Sequence, residues 1–140
     1  VILANGVQLA GHVSVGDYAI IGGLAGAHQF TRIGAHSYVA GHTVIRKDVP
    51  PYVKAAREPM SYVGLNIVGL QRRGFGEEQV QTISQIYHTL FVERNSTGRA
   101  LEAVKEKVAE GPIKTEILTF IQSSQIGVIK RYSKTGADED

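Results

Sequence analysis

Cysteine is absent from the 140 residues, which excludes a disulfide framework, a thiolate zinc site and a cysteine nucleophile. An excess of charge of one sign is lacking too: 15 Lys and Arg stand against 13 Asp and Glu, a net +2. That balance does not suit a general nucleic-acid binder, whose basic residues gather on one face. No run approaches the roughly 18 apolar residues of a membrane span, so no integral membrane segment is expected. The opening residues carry no signal-peptide pattern, so nothing in them points to export. Methionine occurs once, at Met60, and the chain opens at Val1 in the middle of a repeating pattern. Both features point to a fragment of a longer protein. The remainder, 43% hydrophobic and 20% charged, is an ordinary globular composition for one domain, or two small units sharing a core.

What is present is a repeat. Counting in sixes gives Leu3, Leu9, Val15, Ile21, Ala27, Ile33, Val39 and Ile45, all apolar. The residue after each is Ala4, Ala10, Gly16, Gly22, His28, Gly34, Ala40 and Arg46, small in six of eight. Two places before each aliphatic runs a second file: Val1, Val7, Val13, Ala19, Ala25, Thr31, Ser37 and Thr43. Neither a strand period of 2 nor a helix period of 3.6 produces this spacing. The hexads resemble the left-handed parallel β-helix of the hexapeptide-repeat acyltransferases, in which three short strands make one triangular coil. The aliphatic then points into the prism, and the small residue is expected to ease the turn.

The hexads stop at Asp48-Val49-Pro50-Pro51-Tyr52, where two prolines remove two ladder donors. The fold class expected is mixed β and α: a partial β-helix over residues 1–50, then a loop and a helical domain over 51–132. Residues 51–64 read as a loop crossing the prism, with Pro59 breaking any helix. Asn66 to Arg73 reads as a short helix closed by Gly74. Val80, Ile83, Ile86, Tyr87, Leu90 and Phe91 form a helical stripe. Leu101, Val104 and Val108 mark a third helix after the turn Asn95-Ser96-Thr97-Gly98. Pro112 starts a fourth, with Ile113, Ile117, Leu118 and Ile121 facing inward. The polar tail 133–140 is expected to be disordered.

Six cations (Arg46, Lys47, Lys54, Arg57, Arg72, Arg73) stand against Asp48 and Glu58 at the junction of prism and helices. That local excess suits an anionic ligand, or an ordinary solvated face. Four of the five histidines lie in the repeat. His12 and His28 share a corner on successive coils, while His36 and His42 fall at the other two corners and read as surface decoration. His28 fills a slot that is otherwise small, and with Gln29 beside it the pair reads as functional. His88, next to Tyr87, reads as structural or exposed.

Gly11-His12-Val13, His28-Gln29-Phe30, Asp48-Val49-Pro50-Pro51-Tyr52 and Asn66-Ile67-Val68-Gly69-Leu70-Gln71-Arg72-Arg73-Gly74-Phe75 follow one another in order. Together they resemble the C-terminal half of the UDP-N-acetylglucosamine 3-O-acyltransferase family, over residues 1–131. The resemblance implies a cytoplasmic homotrimer with its active sites between neighbouring prisms. It implies transfer of an (R)-3-hydroxyacyl chain from acyl carrier protein to the 3-hydroxyl of UDP-GlcNAc, the first step of lipid A synthesis, with no cofactor and no metal. The family's general base is a histidine about one coil before the glycine matching Gly11, upstream of Val1, so the chain alone is expected to be inactive. Gly11 would offer its N–H to the oxyanion, and His12 would hold substrate or base. His28 and Gln29 would contact the sugar nucleotide or the acyl group. Asn66, Arg72 and Arg73 would reach a neighbour's cleft, where guanidinium forks suit a diphosphate. Gly41 falls at the family's acyl-chain ruler, or only relieves the turn beside His42. Two positions depart from the family: Val68 stands where some members carry a carboxylate, and Ile126 where an arginine is usual before the glycine.

Two other readings fit the same residues. Hexapeptide-repeat carbonic anhydrases hold zinc through histidines of adjacent subunits, but here His12 and His28 lack a clear third partner. A short prism could also serve as a non-catalytic trimerisation module.

Overall fold

A computed structural model describes residues 1–92 and 97–131. Eight two-residue strands run at six-residue intervals: β1 (Ile2–Leu3), β2 (Gln8–Leu9), β3 (Ser14–Val15), β4 (Ile20–Ile21), β5 (Gly26–Ala27), β6 (Arg32–Ile33), β7 (Tyr38–Val39) and β8 (Val44–Ile45). Each of the first five pairs in parallel with the strand three places on, as Ile2 does with Ile20 and Gly26 with Val44. The ladder step is therefore 20 − 2 = 18 residues, and the strands form three faces of a parallel solenoid. Ile21, Val39 and Ile45 have no solvent exposure, as the aliphatic file requires. The second file also points inward, and its hydroxyls are satisfied locally. Thr31, Ser37 and Thr43 each donate to the carbonyl three residues back, at 2.7–2.8 Å, so a buried Ser or Thr costs little where Ala or Val stands in other hexads.

The small slot has a different cause from the one expected. Left-handed backbone is adopted two residues further on, at His12, Tyr18, Leu24, Phe30, His36 and His42, with φ of 59–67°. Glycine stands in that file only at Gly6. The preceding slot is small because coils touch there. A Cβ on Gly16 would lie 2.6 Å from the backbone N of Ala35, and those on Gly22 and Gly34 would run into the backbone of Gly41 and Pro51.

The third coil is cut short. Ile33 bridges Val49 and Tyr38 pairs with Lys54, so the step falls from 18 to 16 residues. The shortened corner lies at residues 46–48, and Asp48 fills the gap. Its carboxylate accepts from the N–H of Arg32, a donor whose counterpart on Ser14 finds the carbonyl of Thr31.

Residues 51–64 are not a loop. β9 (Val53–Ala56) continues the ladder beside β7, and β10 (Ser61–Leu65) folds back antiparallel on it. The prolines do not prevent this: at the place of Pro50 the earlier coils carry Gly16 and Gly34, whose N–H groups donate forward to the carbonyls of Ile33 and Val49, and among the described residues no coil follows to need that donor.

The helices stand close to their expected places. α1 is Ile67–Arg72, α2 Glu77–Tyr87, α3 Thr97–Lys107 and α4 Pro112–Gln122; a π-helical turn, His88–Val92, extends α2. Asn95, Ser96 and the tail 133–140 lie outside the described residues. Ile83, Ile86 and Tyr87 are fully buried, and the Tyr87 hydroxyl donates to the carbonyl of Pro51 at 2.6 Å, which ties the helices to the prism. At α4 the Arg32 guanidinium donates to the carbonyl of Phe120 at 2.7 Å and lies 4.1 Å over its ring. A cation at a helix C-terminus complements the carbonyls and the dipole there. Among the described residues no helix is long and apolar enough to cross a membrane.

Candidate functional site

The sequence-selected residues fall into two groups at different corners. The first is built from the turns between β2 and β3 and between β5 and β6. Gly11 lies over Gln29 of the next coil: its carbonyl accepts from the N–H of Phe30 at 3.1 Å, and a Cβ on it would sit 3.7 Å from Gln29 Nε2. His12 stacks on Phe30, with centroids 4.9 Å apart and planes 16° from parallel. His28, in the same pair of turns, is exposed, as are Gly11, His12 and Gln29. An exposed glycine N–H beside an imidazole and a carboxamide offers donors and acceptors to a ligand without a side chain in the way.

The second group gathers at the corner between β6 and β7, under α1. Asn66 is 4% exposed and caps α1 through Gly69 N–H (3.3 Å), while its Nδ2 donates to the carbonyl of His36 at 3.0 Å. Arg73, at the other end of α1, brings Nη1 to 3.3 Å from His36 Nδ1. The imidazole stacks between Tyr18 (5.0 Å) and Tyr52 (5.7 Å), and Phe75 meets it edge-on at 4.9 Å. Burial and the Arg73 charge lower the His36 pKa from its usual 6.5, against the opposing pull of Glu116 and Asp17. Burial, reinforced by a hydrogen bond to Glu116, pushes the Tyr52 phenol well above its ordinary range.

Each expected residue thus has a place. Gly11, His12, His28 and Gln29 share one corner, and Asn66 and Arg73 share another. Arg72 is exposed, and Gly41 lies at the third corner. Asn66 spends its amide on its own chain, which makes it a fixture of the corner. Gly41 has a packing reason of its own, since a Cβ there would lie 2.9 Å from the carbonyl oxygen of Gly23. Of the six junction cations, Arg46 pairs with Glu58 at 2.6 Å and Arg73 is docked. His36, Tyr18, Tyr52 and Phe75 were not singled out as a group from the sequence. The signal was there, in the 18-residue step from Tyr18 to His36. Among the described residues no three His, Asp or Glu side chains converge to hold a metal.

A parallel solenoid of hexads carrying a helical segment over one corner is the architecture of the hexapeptide-repeat acyltransferases. The model of the family described as UDP N-acetylglucosamine O-acyltransferase, domain 2, matches residues 48–129, and the chain belongs to this O-acyltransferase family. An acyl-[acyl-carrier-protein]–UDP-N-acetylglucosamine O-acyltransferase of Burkholderia orbicola is 40% identical, the match covering 93% of this chain and 51% of the relative. LpxA from Bacteroides fragilis, a UDP-N-acetylglucosamine acyltransferase, superposes with a TM-score of 0.89 at 36% identity, covering 92% of this chain and 50% of that one. The Francisella novicida UDP-N-acetylglucosamine acyltransferase gives 0.89 at 34% identity, over 98% and 50%. The prism is the left-handed β-helix of that fold. The chain spans about half the length of the relatives it matches.

Proposed function

We propose that these residues serve an enzyme that moves an (R)-3-hydroxyacyl chain from acyl carrier protein to the 3-hydroxyl of UDP-GlcNAc, the opening step of lipid A synthesis in the cytoplasm. The observation that carries this reading is the placement of Gly11, His12 and Gln29 in one exposed corner, in a chain 40% identical to relatives named for this reaction. In the step itself a base removes the proton of the sugar hydroxyl, and its oxygen attacks the thioester carbonyl. The Gly11 N–H donates to the oxyanion that forms. Collapse expels the carrier's thiolate, which takes up a proton, and leaves the ester. The base in this reading is the family's histidine about one coil before the glycine matching Gly11, at a place outside residues 1–140, and His12 orients it or the substrate. His28 and Gln29 contact the sugar or the acyl chain, while Arg73 and the exposed Arg72 face the diphosphate. The two groups lie at separate corners of one prism, so a complete site draws on neighbouring copies in a homotrimer.

Acyl transfer to UDP-GlcNAc, assayed with this chain alone and with the chain joined to the N-terminal half of a relative, tests the reading. The joined protein is expected to turn over and the chain alone to be inactive, because a general base contributes about 10²–10⁴-fold. An inactive but trimeric joined protein, seen by sedimentation, would favour a trimerisation module. Equal rates in both samples would remove the upstream base. Gly41→Met in the joined protein is expected to shift donor preference toward shorter acyl chains; an unchanged donor profile leaves Gly41 as a packing residue.

A further inference from the structure

We propose that His36 is the positioning residue for Arg73, holding its guanidinium in one orientation toward the ligand. The proposal rests on the reading of Arg73 as a diphosphate contact.

An arginine at the end of a short helix has many rotamers, and a ligand that must freeze them loses affinity. Here residues of its own chain hold the side chain. Nη1 points at His36 Nδ1 (3.3 Å), and Cζ lies 5.5 Å from the centre of the Tyr18 ring. Gly69 permits this, since a Cβ there would come 2.8 Å from Arg73 Nη1. The imidazole is itself packed in place by its neighbours. It is stacked between Tyr18 and Tyr52 and abutted by Phe75. Its backbone N–H donates to Asp17 and its carbonyl accepts from Asn66.

Arginine can only donate, so Nδ1 must be bare and the ring neutral, with its proton on Nε2. The groups facing the ring are Arg73 at the end of α1, Glu116 of α4, Asp17 of the preceding coil, and the Tyr18 and Tyr52 phenols. Burial and Arg73 outweigh Glu116 and Asp17, so the neutral form prevails at pH 7. A proton on Nδ1 would set two cations face to face, and Arg73 would have to leave.

Two variants separate stacking from hydrogen bonding. His36→Phe keeps the stack, at a left-handed position that Phe30 shows an aromatic can hold, but removes the acceptor. His36→Asn puts an acceptor close to Nδ1 and tolerates the same backbone. UDP-GlcNAc affinity is measured by calorimetry on the protein joined to a relative's N-terminal half. Arg73→Gln is expected to weaken binding roughly 10- to 100-fold. His36→Phe should weaken it about two- to tenfold, with His36→Asn restoring most of the loss. His36→Phe should add nothing on top of Arg73→Gln, and wild-type affinity should fall with acid at a midpoint that Arg73→Gln moves. Full affinity in His36→Phe, or additive losses in the double variant, overturns the positioning role while leaving Arg73 as a ligand contact. Undiminished affinity in Arg73→Gln overturns the diphosphate reading, and this proposal with it.

Discussion

Asp48 accepts from Arg32 twice, at the backbone N–H (2.8 Å) and at Nε (3.1 Å), and from Ser124 Oγ at 2.8 Å. One carboxylate thereby stands in for a missing stretch of backbone and joins the short corner of the prism to the segment after α4. Asp48 is 1% exposed, and its removal leaves three partly buried donors without their acceptor.

Asp48→Ala is therefore expected to cost about 1–3 kcal/mol, read as a lower denaturant midpoint. Asp48→Asn should fall between, since its amide oxygen can accept but carries no charge. A midpoint for Asp48→Ala equal to wild type would show that the corner closes without the carboxylate.

Two glycines of the prism should respond oppositely to alanine. In Gly34→Ala the new methyl meets the backbone at Pro51, an overpacking expected to cost roughly 1–3 kcal/mol. Gly26 has open space where its Cβ would lie, so Gly26→Ala should be neutral, or gain about 0.4–1 kcal/mol by restricting the unfolded chain. Thermal melting of the two variants checks the contrast, and equal losses would refute it.

Lys114 is 2% exposed and donates from Nζ to the carbonyls of Lys105 and Val108 and to Glu110, at 2.6–2.9 Å. It ends α3 from a neighbouring helix. Lys114→Met keeps the bulk but takes the donor from the carbonyls of Lys105 and Val108, the second of them buried, at a cost of roughly 1–3 kcal/mol. Amide exchange localised to the last turn of α3 is the signature to look for. Uniform protection there would show that the lysine is dispensable.

Stability should fall at both ends of the pH scale. His36 has a lowered folded pKa, so below 6.5 the unfolded chain takes up the proton first and stability is lost as pH falls. Burial raises the pKa of Tyr52, Tyr62 and Tyr87 above 10; above that value the unfolded chain ionises first, and stability is lost as pH rises. Tyrosinate absorbance should therefore appear in part only with unfolding. Complete ionisation in the folded protein would contradict the burial of these three rings.

Arg72 and Arg73 are neighbours with different fates. Arg73 is docked, whereas Arg72 is exposed. In the joined enzyme Arg72→Ala should raise the KM for UDP-GlcNAc with little change in kcat or Tm, because the diphosphate does not change during acyl transfer. Arg73→Ala should lower Tm slightly as well. An unchanged KM in Arg72→Ala would take that residue out of the site.

The hexads were legible because the inward aliphatic recurs without a gap through Ile45, and α1 because Asn66 and Gly74 bracket it. β9 and β10 were not. Prolines at 50 and 51 argue against a strand unless it is known that no coil follows to need the donors they lack. The small slot was legible as a pattern, but its cause is contact between coils, which no single hexad reveals. His36 looked like decoration because a corner side chain gains meaning only from what docks over it, and Arg73 lies 37 residues away in sequence.

The 18-residue step also governs which insertions and deletions this chain can survive. Removing one hexad between Gly16 and Ile45 would carry everything downstream around the prism by one face. Removed before Gln29, the hexad would part Gln29 from Gly11; removed after His36, it would carry α1 away from the turn it docks over. Removing three hexads together would keep the phase and merely shorten the prism by about 4.8 Å. Length variation inside the repeat is thus quantised, and natural relatives should differ there by whole coils or by loops bulged at the corners.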